Sequence, residues 1–201
     1  MLVSYIIASG ARGNELFGET FPTIFQIQDL VEHAWDAGYN TQGREETGGI
    51  RGTRKYIGTP EAQALFSSLN IPCPVQAFKD GDKARARTML MKAVEAYFRR
   101  GGDNDSTTHS EADVDAKVRP TGLPPIYLQH RGHSLTIVGF EKQRDRQVNL
   151  LVFDPSFRDA GSVRDLVGRT FTQPESKVSG MLEPYRRGTR YFRRYGEFEV
   201  L

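Results

Sequence analysis

The sequence predicts an α+β fold, because helical patterns fill its first half and short strands follow one another in its second half. Apolar residues recur every three or four positions across 23–37 and 83–100, which is typical of helices packed against a core. Near-continuous apolar runs at 126–129, 134–140 and 148–153 are typical of central strands. Helices followed by a run of antiparallel strands define the α+β class.

The first part of the chain predicts two helices separated by loops. Residues 1–9 are apolar without strict alternation and predict a short buried helix that lacks an N-cap. Glycines within 10–18 predict a loop, and the helix at 23–37 ends at Gly38, where a helix C-terminus favours glycine. Residues 39–58 are glycine-rich without periodicity and predict a long loop, a kind that is usually functional or mobile. The predicted inward residues of the helix are Ile24, Ile27, Val31, Ala34 and Trp35.

The next elements are bounded by turn and cap residues. The pair Thr59-Pro60 predicts a helix start, with Thr59 as the N-cap. Residues 72–78 predict a strand, and the polar segment 101–121 predicts a disordered insert. The tail predicts one more helix after Asp159 and a last strand at 197–201. The predicted inward residues of helix 83–100 are Met89, Leu90, Ala93, Val94, Tyr97 and Phe98.

Composition narrows the class of protein. A chain of 201 residues with 38% hydrophobic residues fits one domain with a packed core. The net charge is only +2, so no nucleic-acid partner is expected, and no apolar stretch is long enough for a membrane span. The apolar start lacks the basic region of a signal peptide, and the single cysteine, Cys73, suits a reducing compartment, cytoplasm or nucleus. A late arginine cluster favours a solvated face over an anion site: Arg186, Arg187, Arg190, Arg193 and Arg194.

One pair of polar residues points to chemistry. His133 opens one predicted strand and Asp154 ends the next, so a hairpin that pairs Leu135 with Phe153 places both at the same end of the sheet. An imidazole held by a carboxylate is the general base of thiol and hydroxyl nucleophiles. Gln129 offers an amide hydrogen to a developing oxyanion. Taken alone, such a pair is more often a structural hydrogen bond.

The other histidines are given no role. His130 and His133 are three residues apart, so in one extended strand they face opposite sides and do not converge on a metal ion. His33 is predicted on a helix surface, and His109 falls in the polar insert. No metal and no cofactor are expected.

Several segments resemble a known family. The segment 124–139 contains the box Gln-His-x-Gly-His-Ser, and 150–155 ends in Asp-Pro. Further similar segments are 27–35, 42–43 and 52–58. They resemble the zinc-finger-containing UFSP-like (ZUFSP) peptidases, which are papain-like deubiquitinases related to the peptidases specific for the ubiquitin-fold modifier.

The resemblance implies a papain-like cysteine peptidase fold and a set of catalytic roles. The second histidine of the box, here His133, corresponds to the triad base, and the aspartate of Asp-Pro, here Asp154, to the residue that orients it. The glutamine of the box, here Gln129, corresponds to the oxyanion donor. The resemblance runs from Met1 to about Asp154 and weakens afterwards.

The chain departs from the family at the nucleophile. The family's cysteine lies in a Cys-Gly-Trp/Tyr-Arg-Asn-x-Gln-Met-Leu motif, whose last part aligns with Met1-Leu2, so this cysteine would lie about seven residues upstream. A shortened gene model is favoured over a true pseudoenzyme. Cys73 lies between two prolines without a helix N-terminus to lower its thiol pKa, and is interpreted as an inert residue.

These observations predict a single peptidase-like domain over residues 1–201, cut before the nucleophile motif. The complete form would hydrolyse the bond after the C-terminal glycine of ubiquitin or a ubiquitin-like modifier, whereas the chain as printed would be inactive. Its partners would be that modifier and its conjugates. The alternatives are a catalytically dead module that binds the modifier, and an anion-binding protein that uses the arginine cluster.

Overall fold

The computed structural model describes residues 1–18, 20–103, 118–143, 147–166, 168–169 and 175–201. In chain order, the described elements are α1 (Leu2–Ala8), α2 (Ala11–Phe17), α3 (Ile24–Asp36), α4 (Gln42–Thr47), α5 (Thr59–Ser68), β1 (Gln76–Lys79), α6 (Lys83–Asp103), β2 (Ile126–His130), β3 (His133–Lys142), β4 (Val148–Phe153), α7 (Gly161–Arg164), α8 (Glu175–Leu182), β5 (Arg186–Arg187), α9 (Thr189–Phe192) and β6 (Glu197–Val200). Helices precede an antiparallel sheet, so the α+β prediction is confirmed. Among the described residues, no helix has the length and apolar content needed to cross a membrane.

The chain forms two compact units, each assembled from separate stretches of sequence. The first contains Met1–Phe78, Pro124–Ser134 and Glu197–Leu201, and the second contains Lys79–Leu123 and Leu135–Gly196. The prediction of one domain over 1–201 stays a prediction. Most of the predicted insert, residues 104–117 with His109, lies outside the described residues, as does part of the predicted 141–146 turn.

The core of the first unit is centred on α3. Thr23 caps this helix through a reciprocal capping box with Gln26. Gly38 follows its end with φ +91°, as the sequence predicts. The buried cluster of the unit is Val31, Ala34, Trp35, Ile50, Ala64 and Leu65.

The predicted inward face of α3 is wrong at its first residue. Ile24 is 74% exposed, whereas Ile27 packs against the core cluster and is partly buried. In the same unit, β6 lies between β1 and β2, and Leu128 of β2 pairs with Val200 of β6. The predicted strand 72–78 is shorter in the structure, where it begins at Gln76.

Two of the predicted loops contain helices. The glycine-rich segment 10–18 forms α2. Gly13 lies within this helix, at a point where its backbone closely contacts α1. A Cβ built on Gly13 would lie 2.1 Å from the carbonyl oxygen of Ile6. Glycine at this position therefore permits packing between two helices rather than a turn.

The segment 39–58 contains α4 and is fixed by buried polar side chains of α3. The Glu32 carboxylate accepts hydrogen bonds from the backbone N–H of Ile50 at 2.6 Å and of Arg51 at 3.2 Å. Gln28 accepts from the N–H of Gly52 and donates to the carbonyl of Thr53, both at 2.9 Å. Buried polar groups need such partners. The prediction of an irregular loop therefore fails for α4, and the segment that follows it is held in place.

The second unit combines α6 with a sheet in which β4 lies between β3 and β5. A stripe at intervals of four residues is buried on α6, namely Ala86, Leu90, Val94 and Phe98. The predicted inward position of Met89 is wrong. This residue is 45% exposed, because the stripe of α6 that faces the core contains Leu90 and not Met89. The tail holds α7, α8 and α9, more than the single helix predicted, and the last strand is confirmed as β6 in the first unit.

The predicted hairpin of β3 and β4 is confirmed, but its register is shifted by one residue. Thr136, rather than Leu135, lies opposite Phe153. The ladder passes from Ile137 opposite Val152 to Gly139 opposite Leu151, so Val138 is an extra residue. A bulge of this kind changes the register and cannot be read from alternation of apolar residues.

The arginine cluster is only partly a solvated face. Arg190, Arg193 and Arg194 are exposed, as predicted. The side chains of Arg186 and Arg187 are only 9% and 14% exposed, and both form ion pairs with carboxylates. Two buried, paired cations are therefore not available to a surface anion, which weakens the anion-binding alternative.

Arg186 forms a bidentate ion pair with Glu141. Its Nε and Nη2 donate to the two carboxylate oxygens, each at 2.7 Å. These hydrogen bonds hold the pKa of the Glu141 carboxyl below its usual value, against the opposing effect of burial, and Asn149 donates to the same carboxylate.

Gly13→Ala should destabilise the protein by about 1 to 3 kcal/mol, because the added Cβ meets the backbone of α1 and not a mobile side chain. The control is Gly180→Ala in α8, where a Cβ has no neighbour within 4 Å. That variant should gain roughly 0.5 to 1 kcal/mol. Urea unfolding measures both, and equal effects would contradict the packing of α1 on α2.

Glu141→Gln should lower the free energy of unfolding at pH 7 by on the order of 1 kcal/mol, because the lost ion pair is partly screened by solvent. The pKa of Glu141 is lowered in the folded state, so its contribution is present above the unfolded value near 4.3 and is lost as pH falls through the folded value. The free energies of unfolding of the variant and the wild type should therefore converge as pH falls below the lowered folded-state pKa of Glu141, as measured by urea unfolding.

Glu183→Gln is the matched control, because Glu183 contacts the same Arg186 but is 77% exposed. Its effect should stay within about 0.5 kcal/mol at every pH. A pH-independent effect of Glu141→Gln would show that packing, and not charge, accounts for the stabilisation.

Candidate active site

Gln129 lies on β2 of the first unit, with its side-chain amide against the start of α5. Its Oε1 accepts hydrogen bonds from the backbone N–H of Thr59 at 2.6 Å and from the Thr59 hydroxyl at 3.1 Å. A backbone N–H can only donate, so the atom facing Thr59 must be the oxygen of the amide. The Nε2 group is thereby turned away from Thr59, and no hydrogen bond within the described part of the chain uses it.

The start of α5 differs from the prediction by one residue. Gly58, and not Thr59, is the N-cap, and its N–H donates to the buried Glu61 carboxylate at 2.6 Å. Thr59 is the first residue of the helix, and its N–H and hydroxyl both contact Gln129 instead of capping the helix. The sequence predicted the helix correctly but assigned its threonine the wrong contact.

Gly58 allows Gln129 to approach closely. A Cβ built on Gly58 would lie 2.6 Å from Oε1 and 2.9 Å from Nε2 of Gln129. Any larger residue would displace the amide. Sequence reasoning missed this glycine as a site residue, although a glycine before Thr-Pro-Glu at a helix start is visible in the sequence.

Tyr127 lies two residues before Gln129 on β2, and therefore on the same face of the strand. Its hydroxyl is 2.7 Å from the Ser134 hydroxyl. Burial raises the pKa of the Tyr127 phenol, and the hydrogen bond with Ser134 opposes that shift. The phenol of Tyr127 is therefore neutral at ordinary pH and keeps its hydrogen bond with Ser134 beside Gln129.

His133 is the first residue of β3, directly after a turn. The turn contains Arg131 and Gly132, and Gly132 has φ +79°, a conformation that favours glycine. The predicted geometry of His130 and His133 is wrong, because the two residues do not share one extended strand. The chain reverses between them, and their ring centroids lie 5.9 Å apart.

His130 is a core residue rather than a ligand candidate. It is 2% exposed, on the same face of β2 as the buried Leu128. Within the described residues, no three histidine, cysteine, aspartate or glutamate side chains group closely enough to hold a metal ion. His33 is exposed on α3, as predicted.

Asp154 follows the last residue of β4 in the second unit, and its side chain is 9% exposed. Its Oδ1 accepts hydrogen bonds from the N–H and hydroxyl of Ser156, at 2.9 and 2.6 Å. Its Oδ2 accepts from Nη2 of Arg187 at 2.9 Å. Sequence reasoning missed Arg187, because nothing in an arginine run distinguishes a paired cation from a solvated one.

The roles predicted for the three residues stay predictions. His133 belongs to the first unit with Gln129, and Asp154 belongs to the second. The structure fixes the amide orientation of Gln129 and two partners of the Asp154 carboxylate.

Cys73 is partly buried in the irregular segment between α5 and β1. Its sulfur lies 3.5 Å from the Ser67 hydroxyl and 3.8 Å from the carbonyl oxygen of Gln63. A hydroxyl and a carbonyl do not activate a thiol, because neither is a base or a cation. The interpretation of Cys73 as a structural residue agrees with these contacts.

Gly58→Ala should displace the Gln129 amide and destabilise the protein by about 1 to 3 kcal/mol, because the Cβ would overlap both amide atoms. The side-chain NH2 signals of Gln129 in ¹⁵N–¹H NMR, assigned by their loss in Gln129→Leu, report the displacement. Gly81→Ala is the control, since its Cβ has no neighbour within 4 Å. Unchanged Gln129 signals in Gly58→Ala would contradict the described contact.

Comparison with known proteins assigns this chain to a family. The family model of Peptidase family C78 matches residues 1–201, which includes the tail beyond Asp154. Zinc finger-containing ubiquitin peptidase 1 from Bos taurus is 36% identical over 77% of this chain, which spans 25% of that protein. The same-named protein from Rattus norvegicus is 31% identical over 94% of this chain and 34% of its own length.

Two further proteins show weaker similarity to this chain. Ubiquitin carboxyl-terminal hydrolase mug105 from Schizosaccharomyces pombe is 28% identical over 66% of this chain and 46% of its own length. The crystal structure of UfSP from C. elegans superposes with a TM-score of 0.49 at 13% identity, over 98% of this chain and 28% of that one. The chain thus spans about a quarter to a third of the zinc finger-containing relatives, and it belongs to peptidase family C78, with the papain-like α+β fold that its sequence predicts.

Proposed function

We propose that this chain is the body of a cysteine peptidase that hydrolyses the bond after the C-terminal glycine of ubiquitin or a ubiquitin-like modifier. Membership of peptidase family C78 supports the reaction class. The relatives named as ubiquitin peptidases support the substrate class. The observation that carries the site assignment is the fixed amide of Gln129, which directs a hydrogen-bond donor away from α5.

The proposed reaction proceeds through a thioester between the nucleophile and the modifier's terminal glycine. His133 takes the proton of the attacking thiol and later gives it to the leaving amine, while Asp154 fixes the tautomer of the imidazole. The Nε2 of Gln129 donates to the oxyanion of the tetrahedral intermediate. Water then hydrolyses the thioester, with His133 as its base, and releases the modifier.

The nucleophile of this reaction is not assigned to Cys73. That thiol has a hydroxyl and a carbonyl as neighbours and does not lie at a helix N-terminus. The proposed nucleophile is a cysteine that corresponds to the family's Cys-Gly motif, which the extended form used in the test supplies. By itself, the chain of 201 residues is proposed to bind the modifier without cleaving it.

The compartment is also a proposal. A chain whose sole cysteine is a free thiol suits a reducing environment. We therefore assign the protein to the cytoplasm or the nucleus.

The test uses an extended form, which is the chain with Cys-Gly-Tyr-Arg-Asn-Ser-Gln placed before Met1. It should release aminocoumarin from the C-terminus of ubiquitin or of the ubiquitin-fold modifier. His133→Ala should reduce kcat by about 10³-fold or more, because the thiol then has no base. Gln129→Ala should reduce kcat by about 10²- to 10³-fold through loss of the oxyanion donor.

The control is His33→Ala, which removes an exposed histidine from α3 and should leave kcat unchanged. Absence of hydrolysis of both conjugates by a folded extended form would contradict the peptidase assignment. Hydrolysis that persists in His133→Ala would contradict the assignment of the base.

A further inference from the structure

Arg187 is held in one orientation by four neighbours. Its Nη2 donates to Oδ2 of Asp154 at 2.9 Å, and its Nη1 donates to the carbonyl oxygens of Pro184 at 2.8 Å and Arg186 at 3.0 Å. Its guanidinium lies over the ring of Tyr191, 5.0 Å from the centroid. Both terminal nitrogens and one face of the guanidinium are therefore in contact, which leaves the planar fork little freedom to rotate.

This ion pair is more buried than an ordinary surface pair. The side chain of Arg187 is 14% exposed and that of Asp154 is 9% exposed. Removing two charges from water is costly, and the geometry must be good for the pair to persist. The two backbone carbonyls supply that geometry, because they bind the guanidinium independently of the carboxylate.

The opposite oxygen of the carboxylate is fixed as well. Oδ1 of Asp154 accepts from the N–H and the hydroxyl of Ser156, while Oδ2 accepts from Arg187. A carboxylate that is bound at both oxygens from different directions has its plane fixed. Ser156 fixes the position of Oδ1, and Arg187 fixes the position of Oδ2.

We propose that Arg187 is a positioning residue of the peptidase, which keeps the Asp154 carboxylate ionised and in one orientation for its role in the proposed reaction. This inference rests on the proposed function. Arg187 does not touch the reacting atoms and acts only through the carboxylate. The cation keeps the carboxylate charged, and the Pro184 and Arg186 carbonyls keep the cation in place.

Arg186 is a matched control on the same short strand. Its side chain is 9% exposed and also forms an ion pair, but its partner is Glu141 rather than Asp154. Loss of either arginine should destabilise the protein, because each leaves a carboxylate without its main cation. Only loss of Arg187 should alter the titration of Asp154.

The first experiment uses the chain of 201 residues as it exists. The ¹³C signal of the Asp154 carboxyl is followed against pH in the wild type, Arg187→Met, Arg187→Lys and Arg186→Met. Loss of the neighbouring cation should raise the midpoint in Arg187→Met by about 1 to 3 pH units. Tyr191 is the other titratable group against this guanidinium, and its high pKa, raised by burial, separates it from the acid range.

The two remaining variants decide what the shift means. Arg186→Met should leave the Asp154 midpoint unchanged. Arg187→Lys keeps a cation but loses the fork, so its midpoint should lie between the wild type and Arg187→Met. The lysine variant also serves if Arg187→Met does not fold. An Asp154 midpoint that is the same in the folded lysine variant, in Arg186→Met and in the wild type would overturn the proposal.

The second experiment repeats the substitutions in the extended form. Arg187→Met should lower kcat for modifier–aminocoumarin hydrolysis by about 10- to 100-fold with little change in KM, because the base is misaligned while binding is kept. Arg186→Met removes only the side chain that pairs with Glu141 and keeps the backbone carbonyl that binds Arg187, so it should leave kcat unchanged. Normal hydrolysis by Arg187→Met would overturn the positioning role, whereas a shifted Asp154 midpoint without hydrolysis by any form would overturn only the proposed function.

Discussion

The start of α5 fixes the side-chain amide of Gln129 in one orientation. The backbone N–H of Thr59 can only donate, so Gln129 must present its oxygen to the start of α5 and its Nε2 elsewhere. A glutamine amide without such an anchor can flip between two chemically opposite arrangements. Here the anchor comes from the helix itself, and Gly58 supplies the space in which the amide fits. A donor that is fixed before the reaction needs no reorganisation during it, which is the physical basis of oxyanion stabilisation.

The segment that leads to this anchor is held by buried polar groups rather than by its own secondary structure. Glu32 and Gln28 of α3 bind successive backbone groups from Ile50 to Thr53. Glu61 binds the N–H of Gly58 in the same unit. Each of these carboxylate and amide groups is buried, and each replaces water with a backbone partner. The helix α3 precedes this glycine-rich segment and α5 follows it, and buried side chains of both helices bind the backbone of the segment.

Much of this architecture could be predicted from the sequence, and the failures have a common cause. Strong periodicity identified α3, α6 and the hairpin of β3 and β4. The sequence could not show that Gly13 contacts the Ile6 carbonyl, and so α2 was predicted as a loop. The family resemblance suggested roles for Gln129, His133 and Asp154, which stay predictions, but it gave no sign of Arg187, whose partner lies 33 residues away in sequence. Local patterns specify elements, whereas contacts between distant residues decide which glycine permits packing and which arginine is buried.

The site residues of this chain are proposed to serve a thiol other than that of Cys73. The most direct test is the intact mass of the chain and of its extended form after reaction with ubiquitin that carries a C-terminal vinyl methyl ester. We expect one covalent adduct on the extended form, which maps to its added cysteine, and none on the chain of 201 residues. An adduct on that chain that maps to Cys73 would contradict this proposal.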